Sequence, residues 1–214
     1  MELLQNILFI NLEHRTDRLL SVTTQLQNMN LKATRFNAIK NKNGAIGCSL
    51  SHIKCLQIAL QNKWDYVCII EDDIVFTDKK AFFHSLNNFY YNFKQDWDVL
   101  ILGGNNCPPF QYINPNLVKV SNCQTITGYI VPFKYYSTLI NNFKDSVSNL
   151  MKNPNNKKQY ALDIYWKHLQ KINNWYLLTP LTIHQLDDYS DIENKITTYK
   201  HMMLDIDKSK YFNP

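Results

Sequence analysis

The stretch Tyr66-Val67-Cys68-Ile69-Ile70-Glu71-Asp72-Asp73-Ile74-Val75-Phe76 organises the reading of this chain. Residues 66–70 form a continuous apolar run, the pattern of a strand buried on both faces. The run ends in three carboxylates, and a second apolar run, Ile74-Val75-Phe76, follows at once. Like charges held between apolar segments repel one another, and desolvating them is costly. A cation removes that conflict. Mg²⁺ and Mn²⁺ prefer oxygen ligands and commonly take one or two carboxylates together with substrate phosphates. Taken alone, the tripeptide reads more simply as an acidic turn closing a strand.

Working outward, residues 7–10 are a short apolar strand ending in Asn11. Leu19, Val22, Leu26 and Met29 recur at helical spacing, which predicts an amphipathic helix from Asp17, as its N-cap, to about Met29. Residues 32–36 read as a second strand. The Asn41-Lys42-Asn43-Gly44 turn leads through Gly47 into a helix marked by Ile53, Leu56 and Leu60. Beyond the acidic segment, residues 81–93 are helical in pattern. Residues 99–102 are a strand capped by Gly103-Gly104, and residues 105–116 a Pro- and Asn-rich loop. Residues 128–131 predict a strand, residues 132–134 lead into a helix that fades near Asn142, and residues 153–156 are a loop. Residues 162–169 read as a helix, and residues 175–178 as a strand stopped by Pro180. Strands alternating with helices predict an α/β domain with a mostly parallel central sheet flanked by helices. Such sheets bind ligands at the carboxyl ends of their strands, where Asn11, Asp72 and Gly103 fall.

A chain of 214 residues is long enough to bury a sizeable core. Its 45% hydrophobic residues exclude a disordered chain. The net charge of +5 is spread along the sequence, and its densest clusters, Lys40-Asn41-Lys42 and Lys157-Lys158, lie in Asn-rich stretches that read as solvated loops. No nucleic-acid partner is expected from so diffuse a charge. The five cysteines are scattered without a CxxC pair and read as reduced thiols. The start lacks a basic, signal-like segment, and no run reaches the roughly 18 apolar residues of a membrane span; a cytoplasmic location is the expectation.

Arg15 and Arg18 flank the start of the first helix, where backbone N–H groups and the helix dipole favour an anion. Arginine suits bidentate phosphate contact, so Asn11, Arg15 and Arg18 are candidate nucleotide ligands; exposed arginines beside an ordinary cap are the plainer reading. Gly44 and Gly47 permit close backbone approach, and Ser51 and His52 project from the helix that follows.

The ordered segments Asn11-Leu12-Glu13-His14-Arg15-Thr16-Asp17-Arg18, Arg35-Phe36-Asn37-Ala38-Ile39, Gly44-Ala45-Ile46-Gly47-Cys48-Ser49-Leu50-Ser51-His52 and the acidic strand end together resemble glycosyltransferase family 25. That family includes lipooligosaccharide and collagen galactosyltransferases. The similarity spans about residues 6–135 and returns weakly at Leu162-Asp163 and around Gln185 and Ser190-Asp191-Ile192. It implies a single GT-A-like domain over residues 1–214, with residues 1–104 serving the nucleotide sugar and residues 105–214 the acceptor. It further implies a UDP-sugar donor, Mn²⁺ (or Mg²⁺), and hexose transfer with inversion to a glycan, lipid-linked glycan or protein hydroxyl.

By the same resemblance Asn11, Leu12, Arg15, Arg18, Ala38, Gly47, Ser51, His52, Glu71, Asp72 and Gly103 would surround the nucleotide sugar. Asp73 would touch the metal directly, Asp72 the metal or the ribose, and Glu71 would stand behind them. His184 is the candidate third metal ligand. Asp163, near a predicted helix start, is the candidate base, with Tyr160, Tyr165 and Trp166 nearby to stack on a sugar. A catalytically silent nucleotide-sugar-binding module and a metal-dependent phosphodiesterase are the alternative functions.

Overall fold

The computed structural model describes residues 1–193 and 195–208. Their elements, in chain order, are β1 (Ile7–Asn11), α1 (Thr16–Met29), β2 (Thr34–Asn37), α2 (Gly44–Gln61), β3 (Tyr66–Glu71), β4 (Ile74–Phe76), α3 (Lys79–Asn92), β5 (Val99–Asn106), β6 (Phe110–Asn114), β7 (Leu117–Val120) and β8 (Cys123–Pro132). There follow α4 (Tyr136–Lys152), α5 (Lys157–Tyr160), α6 (Leu162–Tyr165), α7 (Lys167–Ile172), β9 (Trp175–Leu178), β10 (Ile183–Gln185), β11 (Asp188–Ser190), β12 (Lys195–Thr197) and α8 (Lys200–Met203).

Among the described residues, eight strands form one sheet in the order β2-β1-β3-β8-β5-β9-β7-β6. β1, β2 and β3 are parallel neighbours, as are β5 and β9. β8 runs antiparallel between β3 and β5, and β7 antiparallel between β9 and β6, so six strands point one way and β8 and β7 the other. Alternation along each strand divides the core between the two faces. Leu8, Ile10, Val67, Ile69 and Ile101 pack with α2, α4 and α7, while Ile7, Phe9, Cys68, Ile70 and Leu100 pack with α1 and α3. The inner strands β1, β3 and β9 are almost wholly buried because both faces are covered, whereas the edge strands β2 and β6 are largely exposed. The small β4–β10 ladder lies on the α1 and α3 side. No helix among the described residues is long and apolar enough to cross a membrane.

Several elements depart from their predicted limits. Arg15, not Asp17, is the N-cap of α1; Asp17 lies in the first turn and its carboxylate accepts from Arg15 Nε at 3.0 Å. β5 does not stop at Gly103-Gly104 but continues to Asn106, its pairing with β8 shifting register at Gly103. The expected loop over residues 105–116 contains β6, which pairs antiparallel with β7. α4 runs on to Lys152, with partners for two of its buried polar side chains: Ser146 Oγ donates to Tyr160 O at 2.7 Å, and Asn142 Nδ2 meets His168 Nε2 at 3.2 Å. The helix expected over residues 162–169 is two pieces joined at Trp166, whose buried indole Nε1 donates to Cys123 O at 3.0 Å.

Candidate active site

Parallel pairing of β1 with β3 sets Ile10 opposite Glu71, so Asn11 arrives beside the acidic turn. Asn11 is buried; its Nδ2 donates to Asp72 Oδ2 at 2.7 Å and to Arg15 O at 3.1 Å. It therefore couples the strand end to the start of α1, while its Oδ1 is buried and accepts no hydrogen bond from the protein. Arg18, one turn along α1, donates from Nη1 to Asp72 Oδ1 at 3.2 Å and to Asp73 Oδ2 at 3.1 Å.

Both arginines also reach the segment that carries β11. Arg15 donates to Asp188 at 2.6 Å and to Asp191 at 2.7 Å, and Arg18 Nε reaches Asp188 at 3.2 Å. Burial pushes the Asp188 carboxyl up, but the Tyr189 backbone N–H, then Arg18 and Arg15, outweigh it and hold the carboxyl below its usual range. Both arginine side chains are largely covered, retaining 12% and 11% of their exposure, while Asp188 and Asp191 stay partly exposed, so these pairs are part-buried.

Asp72 and Asp73 are buried. Burial raises the Asp73 carboxyl to about 8, with Glu71 adding to the rise and Arg18 opposing it. Glu71 is likewise raised to about 8 by burial, then by Asp72 and Asp163. Asp73 Oδ1 and Gln185 Oε1 are buried and accept no hydrogen bond from the protein. Gln185 Nε2 donates to Asp73 Oδ2 at 2.7 Å. The available donors beside Asp72 are thus oxygens, the set a hard divalent cation takes.

At the position expected to supply a third ligand, it is Gln185, the neighbour of His184, whose side chain reaches Asp73. His184 directs Nδ1 to Gln185 O at 2.8 Å, and successive residues of a strand face opposite sides. Among the described residues Asp72, Asp73 and His184 do not gather within 4.8 Å; the three-donor group that does is Cys48, His52 and Glu71.

Two cavities flank the acidic turn. One, of about 370 Å³, is lined by Leu12, Arg15, Arg18, Ala38, Gly47, Ser51, Glu71, Asp72 and Asp73. The sequence therefore brought most of the predicted nucleotide residues to one wall. Lys40, Lys42 and Lys157, read above as solvated, line this cavity too and add positive charge. Ser51 contributes mainly by shaping the wall: its Oγ accepts from Ile39 N and donates to Gly47 O, both at 2.8 Å. Gly47 is needed for the same contact, since a Cβ there would stand 2.5 Å from Ile39 O.

Besides Asn11, two further predicted nucleotide residues line neither cavity. Gly103 borders neither cavity; a Cβ would stand 2.3 Å from Ile183 Cγ2, so the glycine lets β10 lie against β5. His52 is fully buried between Tyr129 and Glu71.

The second cavity, of about 630 Å³, is lined by Asp163, Thr125, Gln124, Lys158, Tyr199 and others. Asp163 lies in the first turn of α6, behind Ala161 at the N-cap, and its Oδ2 accepts from Thr125 N at 2.8 Å. Burial raises its pKa, and that backbone N–H opposes the rise. The expected sugar platform is not formed by Tyr160, Tyr165 or Trp166, none of which lines the cavity; Tyr199 does. Cys48, Glu71, Lys157, Gln185, Ser190 and Ile192 line both cavities, which meet there.

Residues 42–127 match the model of glycosyltransferase family 25 (LPS biosynthesis protein). No curated protein matches the sequence. Among solved structures, a glycosyltransferase involved in glycosylation of the major capsid of PBCV-1 superposes with a TM-score of 0.54 at 9% identity, covering 94% of this chain and 88% of that one. A Drosophila β-1,4-galactosyltransferase 7, solved with manganese, UDP-Gal and xylobiose, gives a TM-score of 0.47 at 12% identity over 95% of this chain and 80% of that one. The fold is that of GT-A-type glycosyltransferases, and the family match covers two of the four segments that carry the resemblance, Gly44 to His52 and the acidic strand end.

Proposed function

We propose that this chain is a glycosyltransferase that moves a hexose, galactose or glucose, from a UDP-sugar to an acceptor hydroxyl with inversion. The observation that carries the reading is the acidic turn at the meeting point of two cavities, one basic and one holding Asp163. The nucleotide would occupy the basic cavity, with its diphosphate toward Arg15, Arg18 and Lys157. The acceptor, a glycan, lipid-linked glycan or protein hydroxyl, would enter the other.

Asp72, Asp73 and Gln185 would hold a divalent cation, Mn²⁺ or Mg²⁺, which when bound neutralises charge developing on the departing diphosphate. The protein's own part is to position and to accept a proton. Arginine forks fix the phosphates, and Asn11 fixes the Asp72 carboxylate. Asp163 would take the proton of the acceptor hydroxyl as its oxygen bonds to the anomeric carbon and the bond from that carbon to the UDP oxygen breaks. Thr125 N–H holds Asp163 Oδ2, leaving the carboxyl oriented for this task.

A screen of UDP-hexoses for Mn²⁺-dependent release of UDP, with and without glycan acceptors, tests the reading. Release from one UDP-hexose, lost on chelation, is expected; no release from any UDP-sugar in either condition would refute it.

A further inference from the structure

Glu71 differs from its two acidic neighbours in where it faces and in what holds it. Asp72 and Asp73 line the basic cavity alone, whereas Glu71 lines both. The acids beside it are engaged by Arg18; Glu71 instead meets His52 Nε2 at 3.2 Å and Cys48 Sγ at 3.7 Å. Both contacts fall on Oε1, and no hydrogen bond to Oε2 occurs among the described residues. The carboxylate is thus anchored by one oxygen and presents the other.

The anchor is a chain. His52 Nδ1 lies 2.9 Å from the Tyr129 hydroxyl, and both rings are fully buried and stacked with centroids 5.7 Å apart. A neutral imidazole carries one proton. With Glu71 as a carboxylate, which accepts only, that proton sits on Nε2 and the Tyr129 hydroxyl donates to Nδ1. Proton position follows from the partners at both ends. The buried ring, held at about 3 by desolvation, stays neutral and fits this arrangement. Tyr129 lies on β8 and His52 on α2, so two rigid elements fix a side chain at the end of β3.

We infer that Glu71 accepts hydroxyl hydrogen bonds from the sugar being transferred, and that His52 and Tyr129 are positioning residues that aim its carboxylate at the junction of the two cavities. This rests on the proposed function, because the transferred sugar must lie between nucleotide and acceptor, where both cavities share a wall. A carboxyl oxygen with no protein donor is suited to accept from sugar hydroxyls. Gln185, whose Oε1 also accepts nothing from the protein, lines the same junction and is fixed through Asp73.

Calorimetric titration of the full chain with UDP and with the UDP-hexose it hydrolyses, both with Mn²⁺, tests the inference. Wild type should bind the UDP-hexose more tightly than UDP. Glu71→Gln should retain UDP affinity within about twofold and lose roughly tenfold in UDP-hexose affinity. Tyr129→Phe, which keeps the buried ring, should lose a smaller share of the same preference and should add nothing further when combined with Glu71→Gln. A merely structural Tyr129 would weaken both ligands alike. Equal weakening of UDP and UDP-hexose, or an unchanged preference, overturns the inference while leaving the glycosyltransferase reading intact. Absence of UDP binding by wild type sinks both. Stoichiometric Zn²⁺ retained by wild type and lost in Cys48→Ser would put a metal on these atoms and overturn it as well.

Discussion

Arg18 Nη1 lies 3.1 Å from Asp73 Oδ2, and the same nitrogen lies 3.2 Å from Asp72 Oδ1. One positive charge is therefore shared by two buried carboxylates, with Glu71 beside them. Breaking a buried pair by removing one partner leaves an uncompensated charge, at a typical cost of 3–5 kcal/mol. Arg18→Ala should accordingly lower the melting temperature, unlike the loss of an exposed arginine. If the acids hold a divalent cation, Mn²⁺ should raise the melting temperature of Arg18→Ala more than that of wild type, because binding to the folded state stabilises it. Calorimetric scans of both proteins with and without Mn²⁺ decide this; equal Mn²⁺ effects would count against the cation site.

Asp73→Asn addresses the same site from the other side. The substitution keeps the shape and one acceptor oxygen but removes the charge whose burial is unfavourable. The fold should persist, while Mn²⁺-dependent UDP-sugar hydrolysis falls by roughly 10²-fold or more, as on losing a strong electrostatic stabiliser. Steady-state turnover at saturating Mn²⁺ is the measurement, and unchanged turnover in a folded variant would release Asp73 from the role.

Gly103 gives a structural contrast. The Cβ of Gly103→Ala would stand 2.3 Å from Ile183 Cγ2 and 2.7 Å from Ile183 Cβ. Overpacking of this kind costs about 1–3 kcal/mol. Gly103→Ala should therefore unfold at lower denaturant, and Ile183→Ala in combination should recover part of the loss. UDP affinity of the folded variant should be unchanged, since Gly103 borders neither cavity. A specific loss of UDP affinity with intact stability would restore the ligand role first expected from its place at a strand end.

His52 makes a prediction about pH. Burial lowers its folded value to about 3, against an ordinary value of about 6.5. The imidazole signals of His52 should not titrate between pH 5 and 8 by NMR. A depressed folded value makes the His52 contribution to stability fully present above about pH 6.5. It declines as pH falls below that toward 3, because only the unfolded chain takes up the proton. A midpoint near 6.5 for His52 in the folded protein would contradict the buried, neutral ring.

The residues that proved legible in the sequence are those whose role depends on local order along the chain. The apolar run of β3 ending in Glu71-Asp72-Asp73, and Arg15 and Arg18 at the start of α1, are each short-range patterns, and sheet topology then carries them to one cavity. Gln185 was not legible, because its tie to Asp73 spans 112 positions and arises from the β4–β10 ladder. Periodicity failed where polar residues are buried with partners, as at Asn142 and Ser146 of α4. It failed equally for Lys157, whose Nζ folds back to Ile192 O at 2.7 Å and so belongs to the cavity wall rather than to a solvated loop. The mixed sense of the sheet was also hidden, since a strand's direction leaves no mark in its composition.

Asp163 carries the chemical step in the proposed reaction, and its surroundings separate that role from a helix cap. Ala161 is the N-cap of α6, so Asp163 lies inside the first turn. Its Oδ2 accepts instead from Thr125 N, a residue of β8 whose positive φ of 60° turns its amide to meet the carboxylate. Asn offers an equivalent carbonyl oxygen to Thr125 N–H, so Asp163→Asn should retain the fold and this contact. It cannot take up the acceptor's proton. Transfer at saturating donor should therefore fall by about 10²- to 10⁴-fold, while affinity for the UDP-sugar and dependence on Mn²⁺ stay near wild type, because those depend on the other cavity. Asp163→Ala should do both kinds of damage, losing transfer and also the hydrogen bond that fixes Thr125, at roughly 1–3 kcal/mol of stability for a buried donor left unpaired. The comparison of Asn with Ala thus divides chemistry from architecture: activity near wild type in Asp163→Asn, with instability in Asp163→Ala, would make Asp163 a clamp on Thr125 and move the search for the base to Asp187, Asp188 and Asp191.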